Sequence, residues 1–284
     1  MRLPYGNRIV ITGASSGLGR AAAELFVRNG FTVYALSRHA EETDFPNADE
    51  RLIRINTDVT EEVSVHRAAE KVNLLGGTGI LLHCAGFGIA GAAEDTSPED
   101  VRRQFETNFF GVLRVNRAFL PAMRRNGGGL VLAVGSVAGI YPIPFQSAYS
   151  ASKFALEAYM EALRMEAAHF GIRACIIEPG DTKTGFTAAR EMALPENSPY
   201  AAACRESVHK MEQDESSGAA PSSFAKTALR LARKKNPKPR VVVGASYCLL
   251  VFLKRLLPGR TVDFFLTRLY APKNGGKKKE MARR

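Results

Sequence analysis

A short apolar run, a glycine-rich turn and an alanine-rich run follow one another between residues 8 and 30, and this order constrains the fold more than any other feature. The run RIVIT at residues 8–12 predicts a buried strand. The run RAAAELFVRNG has the periodicity of a helix and ends in an Asn-Gly pair, which is typical of a helix C-terminus. A strand that leads through glycines into a helix predicts the first unit of a parallel sheet.

The turn between them, TGASSGLG, contains Gly13, Gly17 and Gly19. Glycines let backbone N–H groups come close to an anion, and the following helix points its positive N-terminal end at the same place. The sequence therefore predicts a site for the pyrophosphate of a dinucleotide. The spacing G-x-x-x-G-x-G differs from the common G-x-G-x-x-G form, and a flexible turn without a ligand remains the alternative.

Further apolar runs recur along the 284-residue chain, with helical patterns between them. This alternation is typical of a parallel sheet that helices cover on both faces. We predict an α/β fold with a doubly wound (Rossmann) sheet of about seven strands, in a single domain with a C-terminal helical extension. Ligands of such sheets bind at the carboxyl ends of the strands. The further strands are predicted at residues 32–36, 52–55, 80–84, 130–134, 172–177 and 240–243.

Tyr149 and Lys153 stand four residues apart in SAYSASKFALEAYMEALRMEAAHFG, and Ser136 precedes the tyrosine by thirteen residues. Residues at i and i+4 share one helix face, so a phenol would lie beside an ammonium. A proton donor next to a fixed positive charge suits carbonyl chemistry. A solvated lysine beside a packed ring gives the same pattern, so the other motifs decide its meaning.

Together these motifs make the chain similar to the short-chain dehydrogenase/reductase family over about residues 7–186. TGASSGLG matches the family's coenzyme turn, TNFFG its asparagine motif and VGSVAG its serine motif. The Tyr149–Lys153 pair and the Pro179-Gly180 turn complete the match. Each motif alone is weak, but their order and spacing are specific.

The resemblance implies a role for each motif residue. Tyr149 would exchange a proton with the substrate oxygen, and Ser136 would hydrogen-bond that oxygen. Lys153 would favour the phenolate form of the tyrosine and hold the nicotinamide ribose, while Asn108 would position a water that connects the lysine to solvent. The implied catalytic residues are Asn108, Ser136, Tyr149 and Lys153; the implied coenzyme-binding residues are Gly13, Ser15, Ser16, Gly17, Leu18, Gly19, Ser37, Arg38, Asp58, Val59, Ala85, Gly86, Asn108, Tyr149, Lys153, Pro179, Gly180, Thr182 and Thr184.

The end of the second predicted strand bears on the choice of coenzyme. An NAD enzyme would place a carboxylate there, whereas this chain has Ser37 and Arg38. An arginine pairs well with a 2′-phosphate, so we predict NADP(H) as the preferred coenzyme, with NAD(H) as the alternative. A surface arginine without this role would look the same. Asp58 resembles the family's adenine-side aspartate, and a cap for a helix that starts near Glu61 explains it nearly as well.

The segment HCAGFG departs from the family pattern, because His83 and Cys84 stand where two asparagines are usual. Ala85 and Gly86 keep the small side chains that let the backbone approach the adenosine ribose. We interpret His83 as a strand-end histidine satisfied by the backbone rather than as a catalytic group. Cys84 is interpreted as a small buried residue.

Residues 185–221 interrupt the periodicity with prolines and the polar run QDESSG. A stretch of this length is usually a lid or mobile segment, so we expect it to set substrate choice, with a short helix formed by its alanines. The residues predicted to line an apolar pocket, unless they belong to the core, are Ile140, Tyr141, Pro142, Phe145, Phe186, Met192, Leu194 and Tyr200.

The positive charge of the chain is concentrated at its end. Residues 221–284 hold 17 Lys/Arg against 2 Asp/Glu, a balance of +15, whereas the preceding residues hold 22 against 26, a balance of −4. We divide the chain into a catalytic domain at residues 1–244 and a basic, partly amphipathic extension at 245–284, which ends in the solvated tail KKKEMARR.

The apolar stripe at 245–270 is too short and interrupted for a membrane span, which needs about 20 apolar residues. Packing on the domain or on a partner subunit is the first interpretation, and contact with an anionic membrane surface is the second.

Composition excludes some other classes of function. Four cysteines without C-x-x-C spacing and five histidines without a ligand pattern predict no metal site. The start of the sequence, MRLPYGNRIVITG, has no signal-type apolar core, which predicts a cytoplasmic location. Nucleic acid is not predicted as a partner. The resemblance implies a homodimer or homotetramer that pairs helices near residues 98–124 and 148–168.

The sequence therefore predicts an NADP(H)-dependent oxidoreductase that interconverts a ketone or aldehyde and an alcohol. The resemblance is greatest to members that act on steroids, retinoids or lipid ketones, with the 17-beta-hydroxysteroid dehydrogenase-like group first and a 3-ketosphinganine-type reductase at a membrane surface second. A non-catalytic NADP(H)-sensing regulator and a lipid-surface interaction protein are the alternatives. The intact Ser136, Tyr149 and Lys153 argue against a sensor, which needs no proton donor.

Overall fold

A seven-stranded parallel sheet forms the centre of the computed structural model, which describes residues 3–46 and 49–271. Two short strands, β5 and β8, pair with each other beside it. The strands are β1 Arg8–Thr12, β2 Thr32–Ser37, β3 Leu52–Asn56, β4 Ile80–His83, β5 Ile89–Ala90, β6 Gly129–Val134, β7 Ile172–Pro179, β8 Glu191–Met192 and β9 Arg240–Val243. The helices are α1 Gly17–Arg28, α2 Glu62–Leu74, α3 Pro98–Phe105, α4 Gly111–Arg125, α5 Ser147–Glu166, α6 Ala201–Ser216, α7 Pro221–Ala232, α8 Ala245–Lys254 and α9 Gly259–Tyr270.

The strand order of the central sheet is β3-β2-β1-β4-β6-β7-β9. Each predicted apolar run is one of these strands, which confirms the doubly wound α/β fold. The chain winds one way from β1 to β3 and the other way from β4 onward. Connections therefore diverge between β1 and β4 and leave a crevice at their carboxyl ends.

Alternate residues of each strand are buried on opposite faces of the sheet, as the pleat requires. On β1, Ile9 and Ile11 pack into the core layer formed with α1 and α7. Val10 packs into the opposite layer, formed with α2, α4 and α5. Burial on both faces explains why the strands are continuous apolar runs rather than alternating ones.

The helix expected near residues 98–124 is interrupted. Ser97 caps the start of α3 by accepting a hydrogen bond from the Asp100 backbone N–H, and a π-helical turn at Glu106–Phe110 separates α3 from α4. Asn108 lies within this turn with 1% of its surface exposed. Such π turns are rare and are often found at functional sites.

The segment at residues 185–221 is more ordered than its prolines suggested. Its largest element is α6, which has 16 residues and buries Cys204, Val208 and Met211. These three lie at helical spacing on one face, but the remaining residues are polar enough to hide the pattern.

The C-terminal helices pack on the loops that follow β6. Val251 of α8 and Val262 of α9 form a small core with Ile140 and Tyr141. The Tyr141 hydroxyl also donates a hydrogen bond to the Leu250 carbonyl. Residues 272–284, which include the predicted tail, lie outside the described residues.

Two adjacent glycines before β6 allow a test of the close backbone contact between the loop before β6 and the loop before β7. Gly127 has φ +89° with open space at its Cβ position, whereas Gly128 has φ +118° and a Cβ there would lie 2.4 Å from the Gly171 carbonyl oxygen. Gly127→Ala should lower the free energy of unfolding by about 1 kcal/mol through backbone strain alone. Gly128→Ala should lower it by roughly 3 kcal/mol because a steric clash is added to the strain. Urea unfolding of both variants checks this, and equal losses would contradict the proposed close contact.

Candidate active site

A cleft of about 950 Å³ lies at the carboxyl ends of the strands. This is within the range of small-molecule and cofactor sites. Most of the site residues expected from the sequence lie together in its wall, although Gly19 and Asn108 stand behind it. The expected residues in the wall are Gly13, Ser15, Ser16, Gly17, Leu18, Ser37, Arg38, Asp58, Val59, Ala85, Gly86, Ser136, Tyr149, Lys153, Pro179, Gly180, Thr182 and Thr184.

The glycine turn is held against the end of β4 by backbone contacts. A Cβ atom on Gly13, which has φ +63°, would lie 2.7 Å from the Ala85 nitrogen. A Cβ atom on Gly19 would lie 2.2 Å from the Gly13 carbonyl oxygen. Side chains are therefore excluded at both positions, and Gly19 acts by letting α1 pack on the turn rather than by facing the cleft.

The N-terminus of α1 opens into the cleft without a side-chain cap. Ser16 occupies the N-cap position in an extended conformation, and its hydroxyl makes no capping hydrogen bond. The first N–H groups of a helix need partners, and they attract anions. The uncapped helix start beside Gly17 and Leu18 therefore fits the pyrophosphate of a dinucleotide.

The end of β2 forms another part of the wall. The Ser37 Oγ atom is buried and has no hydrogen-bond partner among the described residues. The Arg38 side chain is exposed beside it. An unpartnered buried hydroxyl and an exposed guanidinium fit the hydroxyl and phosphate groups of a nucleotide ribose.

Asp58 also lines the cleft, and its carboxylate accepts hydrogen bonds from the Thr60 backbone N–H at 2.9 Å and the Thr60 hydroxyl at 2.7 Å. The N-cap of α2 is Glu61, so Asp58 does not cap that helix. Its carboxylate instead orders the turn that follows β3, next to Val59.

Cys84 lines the cleft, whereas His83 lies behind its wall. The His83 ring is buried and hydrogen-bonded through Nε2 to the Asn116 side chain at 3.0 Å, rather than to the backbone as expected. Burial lowers the pKa of His83 to about 4, although the Asn116 hydrogen bond opposes this, so the ring is neutral at pH 7. Burial raises the pKa of the Cys84 thiol well above its ordinary value, so it is an uncharged neighbour of Lys153.

Asn108 connects the π turn to the loop after β4. Its amide nitrogen donates to the Phe87 carbonyl at 3.1 Å, and its oxygen accepts from the Phe87 N–H at 3.1 Å. The amide nitrogen also lies 3.3 Å from the Ser152 hydroxyl on α5. A Cβ atom on Gly86 would lie 3.1 Å from the Asn108 oxygen. Asn108 thus fixes the loop that carries Ala85 and Gly86.

Ser136 ends the β6 side of the cleft and begins a 3₁₀ turn at Val137–Gly139. Its Oγ atom accepts a hydrogen bond from the Ala138 N–H at 3.0 Å. A hydroxyl that accepts in this way keeps its own hydrogen for another acceptor. Ser136 can therefore donate to an oxygen bound in the cleft.

The Tyr149 phenol is the titratable group next to Ser136. Burial raises the pKa of Tyr149 to about 12, the hydrogen bond from Ser136 lowers it, and the negative charge of Glu215 raises it. Lys153, which was expected to lower this pKa, is not among the groups that shift it; the cation that lowers it is Arg190, and burial outweighs that effect. Tyr149 is therefore a neutral phenol at pH 7.

Lys153 lies one helical turn after Tyr149, with Nζ 5.7 Å from the centre of the phenol ring. The ammonium donates a hydrogen bond to the Val134 carbonyl at 2.8 Å. Burial lowers the pKa of Lys153 to about 8, while Cys84 and Glu157 oppose this shift. The ammonium has two further N–H groups for ligands in the cleft.

The Pro179-Gly180 turn forms the opposite wall. The Thr182 hydroxyl donates to the Gly180 carbonyl at 2.9 Å. Thr184 lies above the glycine turn, since a Cβ atom on Gly17 would be 3.6 Å from its Cβ. The turn after β7 and the turn after β1 therefore face each other across the cleft.

The outer part of the cleft differs from the pocket expected from the sequence. Phe186 lines it and lies 5.7 Å from Tyr149 between ring centres. Met192 and Tyr200 are exposed away from it, and Leu194 packs against the Ala90–Val208 cluster. Among the other residues expected there, Ile140, Tyr141, Pro142 and Phe145 are absent from the wall, whereas Phe87, Ile143, Ala189, Met211, Tyr247 and Tyr270 are present.

Tyr247 joins the C-terminal extension to this wall. Its ring occupies the space that a side chain on Gly180 would need, and its hydroxyl donates a hydrogen bond to the Asp181 carboxylate. Burial raises the pKa of Asp181, and the hydrogen bond from Tyr247 opposes this. Sequence reasoning missed Tyr247 and Tyr270, because nothing in their local pattern shows that α8 and α9 return to the cleft.

Two further observations concern the described residues only. None of their His, Cys, Asp and Glu side chains forms a cluster of three suited to a metal ion. Within residues 3–46 and 49–271, every helix is too short or too polar to cross a bilayer.

Comparison with known proteins places this cleft in context. The 3-ketodihydrosphingosine reductase of Bacteroides thetaiotaomicron is 36% identical over 267 residues, which cover 93% of this chain and 97% of that protein. A short-chain dehydrogenase structure from Streptomyces avermitilis has a TM-score of 0.79 and 31% identity, over 92% of this chain and 96% of that one. A short-chain dehydrogenase of Burkholderia cenocepacia, in complex with NADP, has a TM-score of 0.72 and 25% identity, over 96% of this chain and all of that one (100%).

The family model described as short chain dehydrogenase matches residues 7–194. This match contains the glycine turn, the Asn108 turn, Ser136, Tyr149 and Lys153. The chain therefore belongs to the short-chain dehydrogenase family and is an NAD(P)-dependent oxidoreductase.

Proposed function

We propose that this protein is an NADP(H)-dependent reductase that interconverts a long-chain lipid ketone and its alcohol. The observation that carries the proposal is the convergence of Ser136, Tyr149 and Lys153 on one cleft wall, opposite an apolar outer chamber. Steroid and retinoid carbonyls are the other substrates considered. The 36% identity to a 3-ketodihydrosphingosine reductase favours the lipid ketone.

Residues at both ends of the cleft support binding of the coenzyme. The uncapped N-terminus of α1 would hold the pyrophosphate, and Lys153 would hold the nicotinamide ribose. Arg38 and the buried Ser37 hydroxyl would hold a 2′-phosphate, which is why NADP(H) is proposed over NAD(H). When bound, the coenzyme supplies hydride to the carbonyl carbon.

Tyr149 and Ser136 act on the carbonyl oxygen as negative charge develops there. Ser136 donates its hydroxyl hydrogen to that oxygen and fixes it near the phenol, while its Oγ atom still accepts the hydrogen bond from the Ala138 N–H. Tyr149 gives its proton to the same oxygen to form the alcohol. Its raised pKa keeps the phenol protonated at pH 7, which is the form that can donate a proton when the carbonyl is reduced.

Lys153 places a positively charged ammonium group beside the Tyr149 phenol. Its bond to the Val134 carbonyl positions the ammonium beside the phenol, where it stabilises the phenolate left after proton transfer. Asn108 acts indirectly, because both ends of its amide are bonded to Phe87 and thereby order the loop at the back of the cleft.

The outer part of the cleft, which we call the outer chamber, fits a long apolar substrate. Phe186, Met211 and the rings of Tyr247 and Tyr270 line it. Because Tyr247 and Tyr270 belong to residues 245–284, we propose that this extension completes the substrate chamber of the catalytic domain at residues 1–244.

We also propose that the extension contacts an anionic membrane surface. Among the described residues, α8, α9 and the turn between them expose large apolar side chains: Leu249, Leu250, Phe252, Leu256, Leu257, Phe264, Phe265 and Leu269. Arg255, Arg260 and Arg268 are also exposed in this segment, against a single exposed acid, Asp263. An apolar face with a basic rim matches a bilayer with anionic headgroups better than a second copy of the same basic surface.

Two further proposals concern the assembly and the location of the protein. We propose a homodimer or homotetramer formed through α4 and α5, where Phe110 at the start of α4 and Phe154 on α5 are each 40% exposed. We propose a cytoplasmic location, with which four unpaired cysteine thiols agree.

Replacing the proposed proton donor tests the reaction. Tyr149→Phe should reduce turnover by about 10²–10⁴-fold while NADPH binding changes only a few-fold, because only proton transfer is lost. Tyr159→Phe, on the same helix but bonded to Asn116, is the control and should keep turnover. NADPH absorbance with 3-ketosphinganine, ketosteroids, retinal and simple aldehydes measures turnover, and NADPH fluorescence measures binding. NADPH binding without turnover of any carbonyl would instead indicate a sensor.

Charge reversal at the end of β2 tests the choice of coenzyme. Arg38→Asp should lower the ratio of kcat/KM for NADPH to that for NADH by about 10- to 100-fold, since a hydrogen bond to a charged group contributes about 1.5–3 kcal/mol. Arg28→Asp, at the exposed end of α1, is the control for a change in overall charge. An unchanged ratio in Arg38→Asp would exclude the phosphate contact.

Vesicle binding tests the membrane proposal. The protein should co-sediment with vesicles that contain phosphatidylserine and several-fold less with phosphatidylcholine alone, because headgroup charge contributes about 1 kcal/mol per basic residue. The double variant Leu256→Ser/Phe264→Ser should lose this binding. Leu74→Ser/Met165→Ser, which removes equally exposed apolar side chains elsewhere, should keep it. Loss in both double variants, or equal binding to both vesicles, would refute a specific docking face.

A further inference from the structure

A cluster of acidic side chains lies behind the catalytic lysine, outside the cleft wall. Glu157 follows Lys153 by one turn of α5, and Glu178 lies near the end of β7. The two side chains are 6% and 0% exposed, respectively. Arg240 of β9 donates to Glu157 from Nε at 3.0 Å, and the same Nε lies 3.4 Å from a Glu178 oxygen.

Two buried carboxyl groups therefore share one guanidinium. Neither Glu178 oxygen has a hydrogen-bond partner of normal geometry, and the Glu157 Oε1 atom has none either. Burial, together with the neighbouring Glu157, raises the pKa of Glu178 to about 10, although Arg240 opposes this. Glu178 therefore keeps its proton at pH 7, and the charged member of the pair is Glu157, which holds the close contacts to Arg240.

Glu157 also borders the wall of the cleft that carries Ser136, Tyr149 and Lys153, which we call the catalytic wall. A Cβ atom on Gly135, which lies between Val134 and Ser136, would be 3.3 Å from Glu157 Oε1. Lys153 is bonded to the Val134 carbonyl on this same stretch of backbone. The carboxylate thus lies against the backbone that holds the ammonium in place.

We propose that Glu157 is a positioning residue that keeps the Lys153 ammonium charged inside the protein, and that the protonated Glu178 completes it by donating a hydrogen bond to Glu157. This inference rests on the proposed reductase function, in which Lys153 must carry a positive charge. A carboxylate next to a buried ammonium offsets part of the loss of hydration.

The surrounding charges leave Glu157 as the anion that serves Lys153. From the loop after β4, the Cys84 thiol faces Lys153 but is uncharged at pH 7, because burial raises its pKa. Cys175 on β7 is likewise a neutral thiol beside the two acids, since burial raises its pKa. The remaining charged neighbours are Glu161 on α5, 3.2 Å from Arg240, and Arg240 itself on β9, with Lys254 on α8 near Arg240.

The pH dependence of kcat/KM for NADPH tests the proposal, because this ratio reports the groups of the coenzyme-free protein. The wild-type ratio should fall as pH rises through about 8, where Lys153 loses its proton. In Glu157→Gln the pKa of Lys153 falls, so this decline should move to lower pH by about one pH unit or more. At pH 8 the kcat/KM of the variant should then be about five-fold below that of the wild type, whereas at pH 6 the variant should recover most of its activity.

Three further variants separate this role from simple packing. Glu178→Gln mimics the protonated acid, so the decline should stay at its wild-type pH. Glu161→Gln removes the half-exposed partner of Arg240 and serves as the control. Glu157→Asp retains the charge and should restore the wild-type position. Thermal unfolding of each variant reports folding independently.

The outcomes are distinct. A uniform loss at all pH values in Glu157→Gln, or a decline that stays in place, overturns the positioning role. Should that variant fail to fold, a decline displaced in Glu178→Gln still overturns the proposal, because it would show that Glu178 is charged. Absence of carbonyl reduction in the wild-type protein would instead refute the proposed function.

Discussion

The backbone contact between the glycine turn and the end of β4 is the constraint on which the cleft depends. Gly13 approaches Ala85 so closely that no side chain fits between them, and the Thr12 hydroxyl accepts hydrogen bonds from the Cys84 and Ala85 N–H groups at 3.2 and 3.3 Å. These contacts fix the start of α1 at the point where the sheet changes its direction of winding. Both the uncapped helix terminus and the catalytic wall therefore face one crevice, and a nucleotide bound at the first must extend toward the second.

Burial acts on the two titratable groups of this wall in opposite directions. It raises the pKa of Tyr149 and lowers that of Lys153, so each group moves toward its uncharged form. For the phenol this is useful, because a proton donor must hold its proton until the substrate oxygen becomes basic. For the lysine it is a cost, because only the ammonium stabilises a phenolate. The charged form of Lys153 therefore has to be stabilised against burial. The Val134 carbonyl and the Glu157 carboxylate can supply this stabilisation, because electrostatic interactions are stronger in a region of low dielectric.

The fold and the catalytic wall could be predicted from sequence because both depend on local patterns. Strands buried on two faces are continuous apolar runs, and their carboxyl ends must meet at one edge of the sheet. The missed features depend on contacts between distant segments. Tyr247 reaches Asp181 across 66 residues, and Arg240 reaches Glu157 across 83. The helix α6 was underestimated because its three buried apolar side chains stand among polar ones, and no helical periodicity reveals the hydrogen bond that Asn108, within the π turn, donates to Phe87.

The C-terminal helices connect the chemistry to the proposed membrane face. The inner side of α8 places Tyr247 against the Gly180 turn, and the outer side of the same ten-residue helix exposes Leu249 and Phe252. A helix with its side chains is about 10 Å thick, so a bilayer in contact with the outer side would lie one helix away from the substrate chamber. Moving a lipid chain through water costs about 0.8 kcal/mol for each CH₂ group exposed. If the proposed membrane contact holds, a substrate that passes from the bilayer into the nearby cleft avoids most of that cost.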